Sequence, residues 1–344
     1  MVTIRQVAQE AGVSVGTVSR VLNNKPGVSE KTRKLVLDVA RELGYVLPRR
    51  SPLSISPVTH LGVLNRPMTY ALPANPFYSD VFHGIEQICH ECHINLSYST
   101  LDIANGHLRS LPPLVEDERI GGIILVGALP RAAIESAVAA AHVPIVLVDN
   151  CFEPCPWDAV MMDNRRGAYI ATECVISRGH RHVAMLGGPD HPSIVERREG
   201  YEWALQERGL APALVLSADL DVADGEQAVA QLLRQAPQTT AIVCSNDSQA
   251  IGALRKLRDL GYGVPDDFSI VGFDDIDMAK LTSPPLTTIR VGRSALGQIA
   301  VQLLLGRIRV PDRPATKAVV SVTLIERATV CPPRAHDIIP MPGI

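Results

Sequence analysis

The sequence predicts a small all-α domain at the N-terminus, followed by a two-lobed α/β core built on parallel sheets. Residues 3–45 contain three short helical patterns and no strand pattern. From His60 onward, short apolar runs rich in β-branched residues alternate with amphipathic helical patterns, as expected for parallel strands joined by helical crossovers. Because this alternation repeats in similar form along the chain, it predicts two lobes in tandem.

The first two helices are separated by one tight turn. Small and apolar residues from Val7 to Ala11 give the first helix a buried face, and Gly12 suits the bend that follows it. Ser14 can cap the second helix, and Val18 begins the apolar stripe of that helix. This arrangement is typical of a helix-turn-helix unit, in which the second helix lies in a DNA groove.

The third helix and the distribution of charge support the same interpretation. Ser29 is placed to cap a helix that ends at Gly44. Residues 1–50 contain nine Lys and Arg against four Asp and Glu, a net charge of +5, whereas the remaining residues carry a net charge of −8. The N-terminal domain is therefore the part of the chain suited to a phosphate backbone.

Composition narrows the class of protein. The 344 residues are 46% hydrophobic, which is enough to form more than one core. The sequence shows no charged-then-apolar leader and no apolar run of about 18 residues, so we expect a cytoplasmic protein without a membrane span. The seven cysteines are irregularly spaced and are expected to be reduced thiols.

Cys89, Cys92 and His93 form a cluster with metal-ligand character. It could hold a metal or respond to oxidants, but these residues are more simply read as points on an amphipathic helix, because no second ligand pair follows at zinc-finger spacing. We therefore predict no metal and no cofactor.

The core is predicted to contain ten strands and the helices that connect them. The strands are expected at 61–65, 94–100, 120–127, 144–150, 182–188, 213–219, 240–247, 268–275, 286–291 and 320–327. The helices are expected at 78–92, 166–178, 196–208, 225–235, 248–260 and 294–305, with one more on each side of the third strand. The last strands and helix are expected to cross between the lobes.

Two stretches carry a family resemblance: TIRQVAQEAGVSVGTVSRVLN over residues 3–23 and SEKTRKLVLDVARELGY over 29–45. Together with VPDDFSIVGFDD at 264–275 and SPPLTTIR at 283–290, they resemble the lactose-repressor (LacI) family of bacterial regulators. The resemblance implies four regions. They are a helix-turn-helix DNA-binding domain at 1–46, a hinge linker at 47–58, a two-lobed periplasmic-binding-protein-like core for effector binding and dimerisation at 59–332, and a flexible tail at 333–344.

The second helix carries the residues expected to read DNA. Arg20 suits bidentate contact with guanine, although a solvated helix face is the alternative. Val15 and Gly16 offer only apolar contact or close backbone approach, so sequence choice should depend on Thr17 and Arg20. Phosphate contacts, which fix the register of the helix, are expected from Ser14, Ser19, Asn23 and Asn24. A further DNA contact is expected from Thr3.

The hinge linker departs from the family pattern. The resemblance makes Leu53 the candidate wedge in the minor groove. Pro52 and Pro57 bracket this leucine and disfavour a regular hinge helix. An extended basic linker is the alternative.

The effector is expected between the lobes, at the carboxyl ends of the strands. The resemblance implies that Arg197 and Asp274 contact it, and the alternative is an interlobe salt bridge between them. At Leu220, several relatives have an aromatic that stacks on the effector, so a sugar-like ligand is favoured over a flat aromatic one. The candidate residues are Phe77, Tyr78, Asp149, His191, Ser193, Arg197, Leu220, Asn246, Asp247 and Asp274.

The function predicted is a homodimeric transcriptional repressor that binds a near-palindromic double-stranded DNA operator and answers a small sugar-like effector. A nucleoside or another metabolite as effector is the alternative. A sugar-binding transport protein would share the core but lack the basic N-terminal domain. An enzyme is disfavoured, because the Gly12–Gly16 string, which matches GxSxG, follows a helix instead of the buried strand that a nucleophile elbow needs.

Overall fold

The protein is described by a computed structural model that covers residues 4–22, 28–43, 58–65, 76–216 and 219–334. The chain divides into two compact units, Met1–Pro57 and Val58–Ile344. None of the helices in these described ranges is both long and apolar enough to cross a membrane.

The N-terminal unit contains three helices around one small core. They are α1 (Ile4–Glu10), α2 (Val15–Leu22) and α3 (Glu30–Glu42). Gly12 has a φ of +63°, the left-handed conformation that the turn between α1 and α2 requires. Ser14 Oγ accepts a hydrogen bond from the Thr17 amide at 3.0 Å, and Ser29 Oγ accepts one from the Thr32 amide at 3.2 Å, so both predicted caps are confirmed.

The first lobe of the core, the N lobe, contains a six-stranded sheet. Its elements up to the first crossover are β1 (His60–Asn65), α4 (Pro76–Glu91), β2 (Asn95–Thr100), β3 (Asp102–Ala104), β4 (His107–Ser110), β5 (Ile123–Val126), α5 (Arg131–Ala140), β6 (Ile145–Val148) and β7 (Asp158–Met162). The chain then enters the second lobe, the C lobe. Its elements are α6 (Asn164–Ile176), β8 (Val183–Leu186), α7 (Pro192–Glu207), β9 (Leu214–Leu216), α8 (Val222–Gln235), β10 (Ala241–Cys244), α9 (Asp247–Asp259), β11 (Ser269–Asp274), α10 (Asp277–Leu281) and β12 (Thr287–Val291).

The chain crosses between the lobes three times. After β7 leads into α6, α11 (Arg293–Arg309) and β13 (Lys317–Val320) return to the N lobe, and β14 (Val322–Ile325) joins the C lobe. The N-lobe sheet has the order β13-β7-β6-β5-β1-β2, and the C-lobe sheet has the order β14-β12-β11-β10-β8-β9. Every pairing in these two sheets is parallel except β12 with β14.

Helices cover both faces of each sheet, so the central strands are buried on both sides. In the N lobe, α4 and α11 cover one face and α5 covers the other; in the C lobe, α6 and α7 cover one face and α8 and α9 the other. Helix α4 packs closely against α11, and α7 packs closely against α6. A Cβ added at Gly84 of α4 would lie 2.0 Å from the Ser294 carbonyl oxygen, and one at Gly200 of α7 would lie 2.0 Å from the Arg165 carbonyl oxygen.

One expected helix of the core is wrong, and two strands of the N lobe were not expected. The helix expected before β5 is instead the hairpin β3–β4, with a turn at Asn105 and Gly106 that have φ values of +52° and +79°. This Asn-Gly pair is itself a hairpin signal. The strand β7, Asp158–Met162, was not expected at all. The strand expected at 320–327 is confirmed as β14, Val322–Ile325, whereas β13, Lys317–Val320 in the other lobe, was not expected.

Residues 333 and 334, expected to belong to a flexible tail, lie on the C lobe. Thr329 Oγ1 donates to the Ile270 carbonyl at 2.7 Å, which holds the end of the chain against β11. Arg334 then forms a salt bridge with Asp267 at 2.5 Å. These bonds keep the chain on the C lobe as far as Arg334. Residues 335–344 lie outside the described ranges.

Candidate functional site

Asp149 links the two lobes at the carboxyl end of β6. It has a φ of +58°, a conformation that non-glycine residues rarely adopt. Its Oδ2 accepts a hydrogen bond from Tyr78 Oη at 2.8 Å, and its Oδ1 accepts one from Ser193 Oγ at 2.6 Å. Burial and the neighbouring Asp149 carboxylate raise the pKa of Tyr78 well above its usual value, so the phenol stays protonated. Since Ser193 is on α7, one carboxylate holds groups from both lobes.

Arg197, also on α7, is almost entirely buried, with 5% of its surface exposed. Its Nε donates to Asn164 Oδ1 at 2.9 Å, and its guanidinium lies over the Phe273 ring at 3.8 Å from the centroid. Its Nη1 donates to the Ser245 carbonyl. Its Nη2 donates to Met162 Sδ at 3.3 Å and lies 3.7 Å from Asp274 Oδ1, which is within ion-pair range but too long for a hydrogen bond.

Asp274 ends β11 with a φ of +112°. Burial raises the pKa of its carboxyl to about 7, although the nearby Arg197 and Arg293 lower it. Arg293 Nη1 donates to the Asp274 carbonyl oxygen at 3.0 Å, and α11 thereby fixes the backbone at this point. Asp274 Oδ1 is buried without a hydrogen-bond partner among the described residues. It is an acceptor available to a ligand.

His191 supplies a buried donor on the same side of the C lobe. Its Nδ1 accepts a hydrogen bond from the Ser193 amide at 3.4 Å, which caps α7. The ring proton is therefore assigned to Nε2, which is buried and has no hydrogen-bond partner in the described part of the chain. Burial lowers the pKa of His191, so the ring is neutral near pH 7. Across the cleft, Phe152 packs edge-on against the imidazole, with centroids 6.4 Å apart.

In the N-terminal unit, α2 buries Val18 and leaves its first turn open to solvent. Val15 is 43% exposed, Gly16 is exposed and Thr17 is half-buried. Ser14 Oγ bonds to the Thr17 amide and lies 2.9 Å from Thr17 Oγ1, so both hydroxyls already stabilise the start of the helix. The backbone and the small side chains of this turn can approach a groove closely.

Several predicted DNA contacts cannot be placed. Thr3, Asn23, Asn24 and the predicted minor-groove wedge Leu53 lie outside the described residues. Ser19 and Arg20 are on α2, but their side chains are also outside the described set. Their roles stay predictions.

Two family models match the chain. One, described as bacterial regulatory proteins of the lacI family, matches residues 3–47. The other, described as a periplasmic binding protein-like domain, matches residues 172–330.

Relatives match over nearly the whole length. The ribose operon repressor of Haemophilus influenzae is 31% identical over 96% of this chain and 99% of the relative. The chain belongs to the LacI family. The transcriptional repressor PurR of Vibrio atlanticus is 30% identical over the same shares of the two chains. These relatives are repressors and not enzymes, and this LacI-family chain is a DNA-binding transcriptional regulator.

Solved structures of LacI-family regulators have the same fold. A complex of the regulator CelR with cellobiose has a TM-score of 0.72 and 29% identity, covering 96% of this chain and 100% of that one. A regulator from Enterococcus faecium with bound ribose has a TM-score of 0.69 and 29% identity, covering 80% and 99%. The lac repressor dimer bound to operator and the anti-inducer ONPF has a TM-score of 0.71 and 27% identity, covering 96% and 99%.

Six of the predicted effector residues lie near one another in this LacI-family core, because the charges of Asp274 and Arg197 both act on the Tyr78 phenol. Phe77 packs edge-on against Tyr78, with centroids 5.0 Å apart, and thereby supports the phenol that reaches Asp149. The group is Phe77, Tyr78, Asp149, Ser193, Arg197 and Asp274, and His191 adjoins it through the Ser193 amide.

Asp247 is a correction to the predicted site. It is fully buried, its Oδ1 accepts a hydrogen bond from Thr288 Oγ1 at 2.5 Å, and its Oδ2 accepts one from the Ile276 amide at 2.9 Å. Both oxygens are therefore committed to the interior of the C lobe. Asp247 positions the turn after β11 instead of facing the cleft.

Asn246 and Leu220 have supporting positions. Asn246 Oδ1 accepts from the Gln249 amide at 2.8 Å and caps α9, while its Nδ2 donates to the Leu220 carbonyl at 2.8 Å. The Leu220 side chain packs close to Gly188, beyond the end of β8. Effector contact by either residue stays a prediction.

Sequence reasoning missed three residues of this site: Phe152, Asn164 and Arg293. Asn164 joins Arg197 to Glu196, since its Nδ2 donates to Glu196 Oε2 at 3.2 Å. It begins α6 directly after β7, so failing to recognise that strand hid the crossover. Arg293 begins α11 at the corresponding crossover, where its Nη2 pairs with Asp80 at 2.6 Å.

Proposed function

We propose that this regulator is a repressor whose affinity for its operator is controlled by a small sugar bound between the two lobes. The observation that carries the proposal is the relation of Arg197 to Asp274. Arg197 Nη2 and Asp274 Oδ1 are 3.7 Å apart, both are buried, and the carboxylate oxygen has no hydrogen-bond partner among the described residues.

A sugar hydroxyl suits this pair because it donates and accepts at the same time. It would accept from Arg197 Nη2 and donate to Asp274 Oδ1, and hydrogen bonds to charged groups contribute about 1.5–3 kcal/mol each. A second hydroxyl can accept from His191 Nε2, the buried donor on the same lobe. A polyhydroxylated ligand therefore fits an acceptor and two donors that face one cleft.

The alternative interpretation, an interlobe tether, is disfavoured by the positions of the two residues. Arg197 is on α7 and Asp274 ends β11, so both belong to the C lobe. Their ion pair does not connect the lobes. Contacts that do so include Ser193 with Asp149, Phe152 with His191, and Arg197 Nη2 with Met162 Sδ of β7.

Relatives support a sugar. They include a ribose operon repressor, and similar structures contain ribose or cellobiose. A purine is the second candidate, because PurR relatives are nearly as similar. Leu220 disfavours it, since an aliphatic side chain offers no ring for stacking on a purine.

We propose the following organisation for repression. Residues 1–46 bind DNA, 47–58 form a hinge linker, and the core from residue 59 to Arg334 binds the effector and dimerises. A homodimer presents two α2 helices to a near-palindromic operator in the cytoplasm. Closure of the lobes on the effector changes the spacing of the two DNA-binding domains, which couples the sites.

The test uses the full chain and two binding assays. Operator sequences are selected from a pool of random duplexes, and their affinity is measured by fluorescence anisotropy. Calorimetry then compares D-ribose, other pentoses, hexoses and cellobiose with hypoxanthine and adenosine. We expect one sugar to bind and to change operator affinity. Binding of purines alone would overturn the sugar class, and failure to enrich any duplex would overturn the DNA-binding role.

A further inference from the structure

Asn164 joins Arg197 to Glu196 through a side-chain amide that is entirely buried. Its Oδ1 accepts a hydrogen bond from Arg197 Nε at 2.9 Å. Its Nδ2 donates to Glu196 Oε2 at 3.2 Å and to the Met162 carbonyl at 3.3 Å. The orientation of the amide follows from this chemistry, because the guanidinium can only donate, whereas a carboxylate and a carbonyl can only accept. Both amide hydrogens and the amide oxygen are therefore in use.

The Arg197 guanidinium is fixed by groups on several sides. Its Nε donates to Asn164, its Nη1 donates to the Ser245 carbonyl, and its Nη2 donates one hydrogen to Met162 Sδ. The Phe273 ring lies under the plane of the group, with 3.8 Å between the guanidinium carbon and the ring centroid. Because the guanidinium is planar and rigid, these contacts together determine where its Nη2 lies in the cleft. The bond to Asn164 is the one that holds Nε.

The guanidinium stops short of the Asp274 carboxyl group. Arg197 Nη2 lies 3.7 Å from Asp274 Oδ1, although both groups are buried and the ionised carboxylate attracts the cation. A charge-assisted hydrogen bond between two such groups has a length of about 2.7–2.9 Å. Movement of the rigid guanidinium toward Asp274 would displace Nε and Nη1 from their acceptors on Asn164 and Ser245. The supports of Arg197 therefore maintain the gap.

We propose that Asn164 and Glu196 are positioning residues for the effector. Glu196 orients the Asn164 amide, and Asn164 holds the Arg197 guanidinium short of Asp274. This keeps a donor on Arg197 and an acceptor on Asp274 available to a ligand hydroxyl, whereas a directly bonded pair would satisfy both groups and offer neither. Asn164 and Glu196 act through Arg197 and do not touch the ligand. The inference deepens the function proposed above and rests on it for the class of ligand.

Glu196 also connects this arrangement to the crossover strand β13. Its Oε1 is 3.6 Å from Lys317 Nζ, and Lys317 Nζ is 3.9 Å from Glu153 Oε1 in the loop after β6. Lys317 therefore lies between a carboxylate on α7 and a carboxylate of the N lobe. All three side chains are partly exposed, so solvent screens these ion pairs and they contribute little. Glu196 acts mainly through its hydrogen bond to the buried amide of Asn164.

The first experiment follows Asp274 in the full chain without any effector. Asn164→Leu removes the amide and keeps a branched side chain between Arg197 and Glu196, so we expect Arg197 to close on Asp274. The pKa of the Asp274 carboxyl, which burial raises to about 7, should then fall to about 6 or below, because a directly bonded guanidinium favours the ionised form. Carboxyl-carbon NMR measures this pKa, and the signal that is lost in Asp274→Asn assigns it. An unchanged pKa in Asn164→Leu would overturn the positioning role.

Variants of Glu196 repeat the test at a partly exposed side chain, and they decide the proposal if Asn164→Leu does not fold. Glu196→Leu and Glu196→Gln both remove the charge, but only the leucine removes the acceptor of the Asn164 amide. We expect a lower pKa of Asp274 in Glu196→Leu than in Glu196→Gln, and equal values would contradict the role of Glu196. Glu199→Gln is the matched control and should match the wild type, because Glu199 is on the same helix but pairs with Arg165 at the surface.

The second experiment exchanges the donor and the acceptor between positions 164 and 196, with D-ribose as the probe. Asn164→Asp alone sets two carboxylates against each other, and we expect it to weaken binding about tenfold or more. Adding Glu196→Gln provides an amide that donates to the new carboxylate, so the affinity should return to within about threefold of the wild type. Glu196→Gln alone should bind like the wild type, because its carbonyl can still accept from Asn164. A double variant as weak as Asn164→Asp, with an unchanged melting temperature, would overturn the part assigned to Glu196.

Failure of the positioning role and failure of the sugar effector give different results. If the wild type binds neither D-ribose nor another sugar, the sugar effector is overturned, and the pKa of Asp274 still decides whether Asn164 holds Arg197 away from it. If the wild type binds a sugar and Asn164→Leu binds it equally well, the positioning role is overturned, because the gap between Arg197 and Asp274 would then not matter for binding.

Discussion

Ser193 donates a hydrogen bond to Asp149 across the interlobe cleft, with 2.6 Å between Ser193 Oγ and Asp149 Oδ1. Asp149 also holds Tyr78 within its own lobe, so the carboxylate couples the first helix of the N lobe to the start of α7. Opening of the cleft must break the bond to Ser193 and can keep the bond to Tyr78. The hydrogen bond from Ser193 therefore depends on whether the cleft is open or closed, whereas the bond from Tyr78 does not.

Replacing Ser193 by alanine should weaken the closed arrangement of the lobes. A hydrogen bond to a charged group contributes about 1.5–3 kcal/mol, so we expect the free energy of unfolding of the core to fall by this amount or less. Urea unfolding followed by circular dichroism measures it. Ser136→Ala is the matched control, because the Ser136 hydroxyl bonds only within α5, to the Ala132 carbonyl. An equal loss of stability in both variants would show that the bond across the cleft contributes no more than a hydrogen bond within one helix.

The variant Asp274→Asn should separate effector binding from stability. It keeps the shape of the side chain and removes a charged acceptor, so we expect sugar affinity to fall by about one to two decades. Arg197→Ala is less informative, because Arg197 also holds Asn164, the Ser245 carbonyl and the Phe273 ring. Calorimetry measures the affinity, with Asp266→Asn as a surface control. Unchanged affinity in Asp274→Asn would place the effector elsewhere, with Asp149 and Tyr78 as the next candidates.

Asp274 should also make the core less stable as the pH rises from about 4 to about 7. Burial raises the pKa of this carboxyl to about 7 in the folded protein, so the folded state binds more protons than the unfolded state in this interval. The free energy of unfolding therefore falls with increasing pH wherever this group dominates. The difference between wild type and Asp274→Asn isolates its contribution. A difference that does not change with pH would contradict the shift.

The same titration should affect the effector. The ionised carboxylate is the better acceptor for a sugar hydroxyl, so we expect the affinity of wild type to rise as the pH passes through about 7. Calorimetric titrations at several pH values measure this. The rise should be absent in Asp274→Asn, and its persistence there would assign it to another group.

In the DNA-binding domain, Arg20→Ala should relax sequence choice at one base pair in each half-site. A lost bidentate contact with guanine costs about 1–3 kcal/mol for the preferred base and little for the others. Anisotropy with a set of single-base operator variants measures this. Lys34→Ala, at an exposed position of α3, is the control and should weaken all duplexes alike or not at all. Equal weakening by Arg20→Ala on every duplex would make Arg20 a phosphate contact.

Much of the site could be predicted because parallel strands end at a common edge. Asp149 and Asp274 each end an apolar run, which predicted that they face the same cleft, and the family resemblance pointed to Asp274 as well. Asn164 was missed because the run before it, β7, has the sequence DAVMM with a single β-branched residue and was not recognised as a strand. Its place beside Arg197 depends on the crossover between lobes, which has no local pattern.

Other features needed contacts between residues far apart in sequence. Asp247 looked like a cleft residue because it follows a strand, and only its pairing with Thr288, 41 positions later, shows that it is interior. The Asn105–Gly106 hairpin was predictable and was overlooked, since the strands beside that turn are short and partly exposed.

The threefold crossing of the chain has a consequence for synthesis on the ribosome. The N-lobe sheet begins with β1, but its last strand, β13, is Lys317–Val320 and pairs with β7. The whole segment from α6 to β12 is translated between these two partners. The nascent N lobe must therefore keep one side of β7 unpaired, an edge open to wrong pairing, until translation has passed Val320. A stop codon before β13 would leave both lobes incomplete, because β14 follows it and belongs to the other sheet.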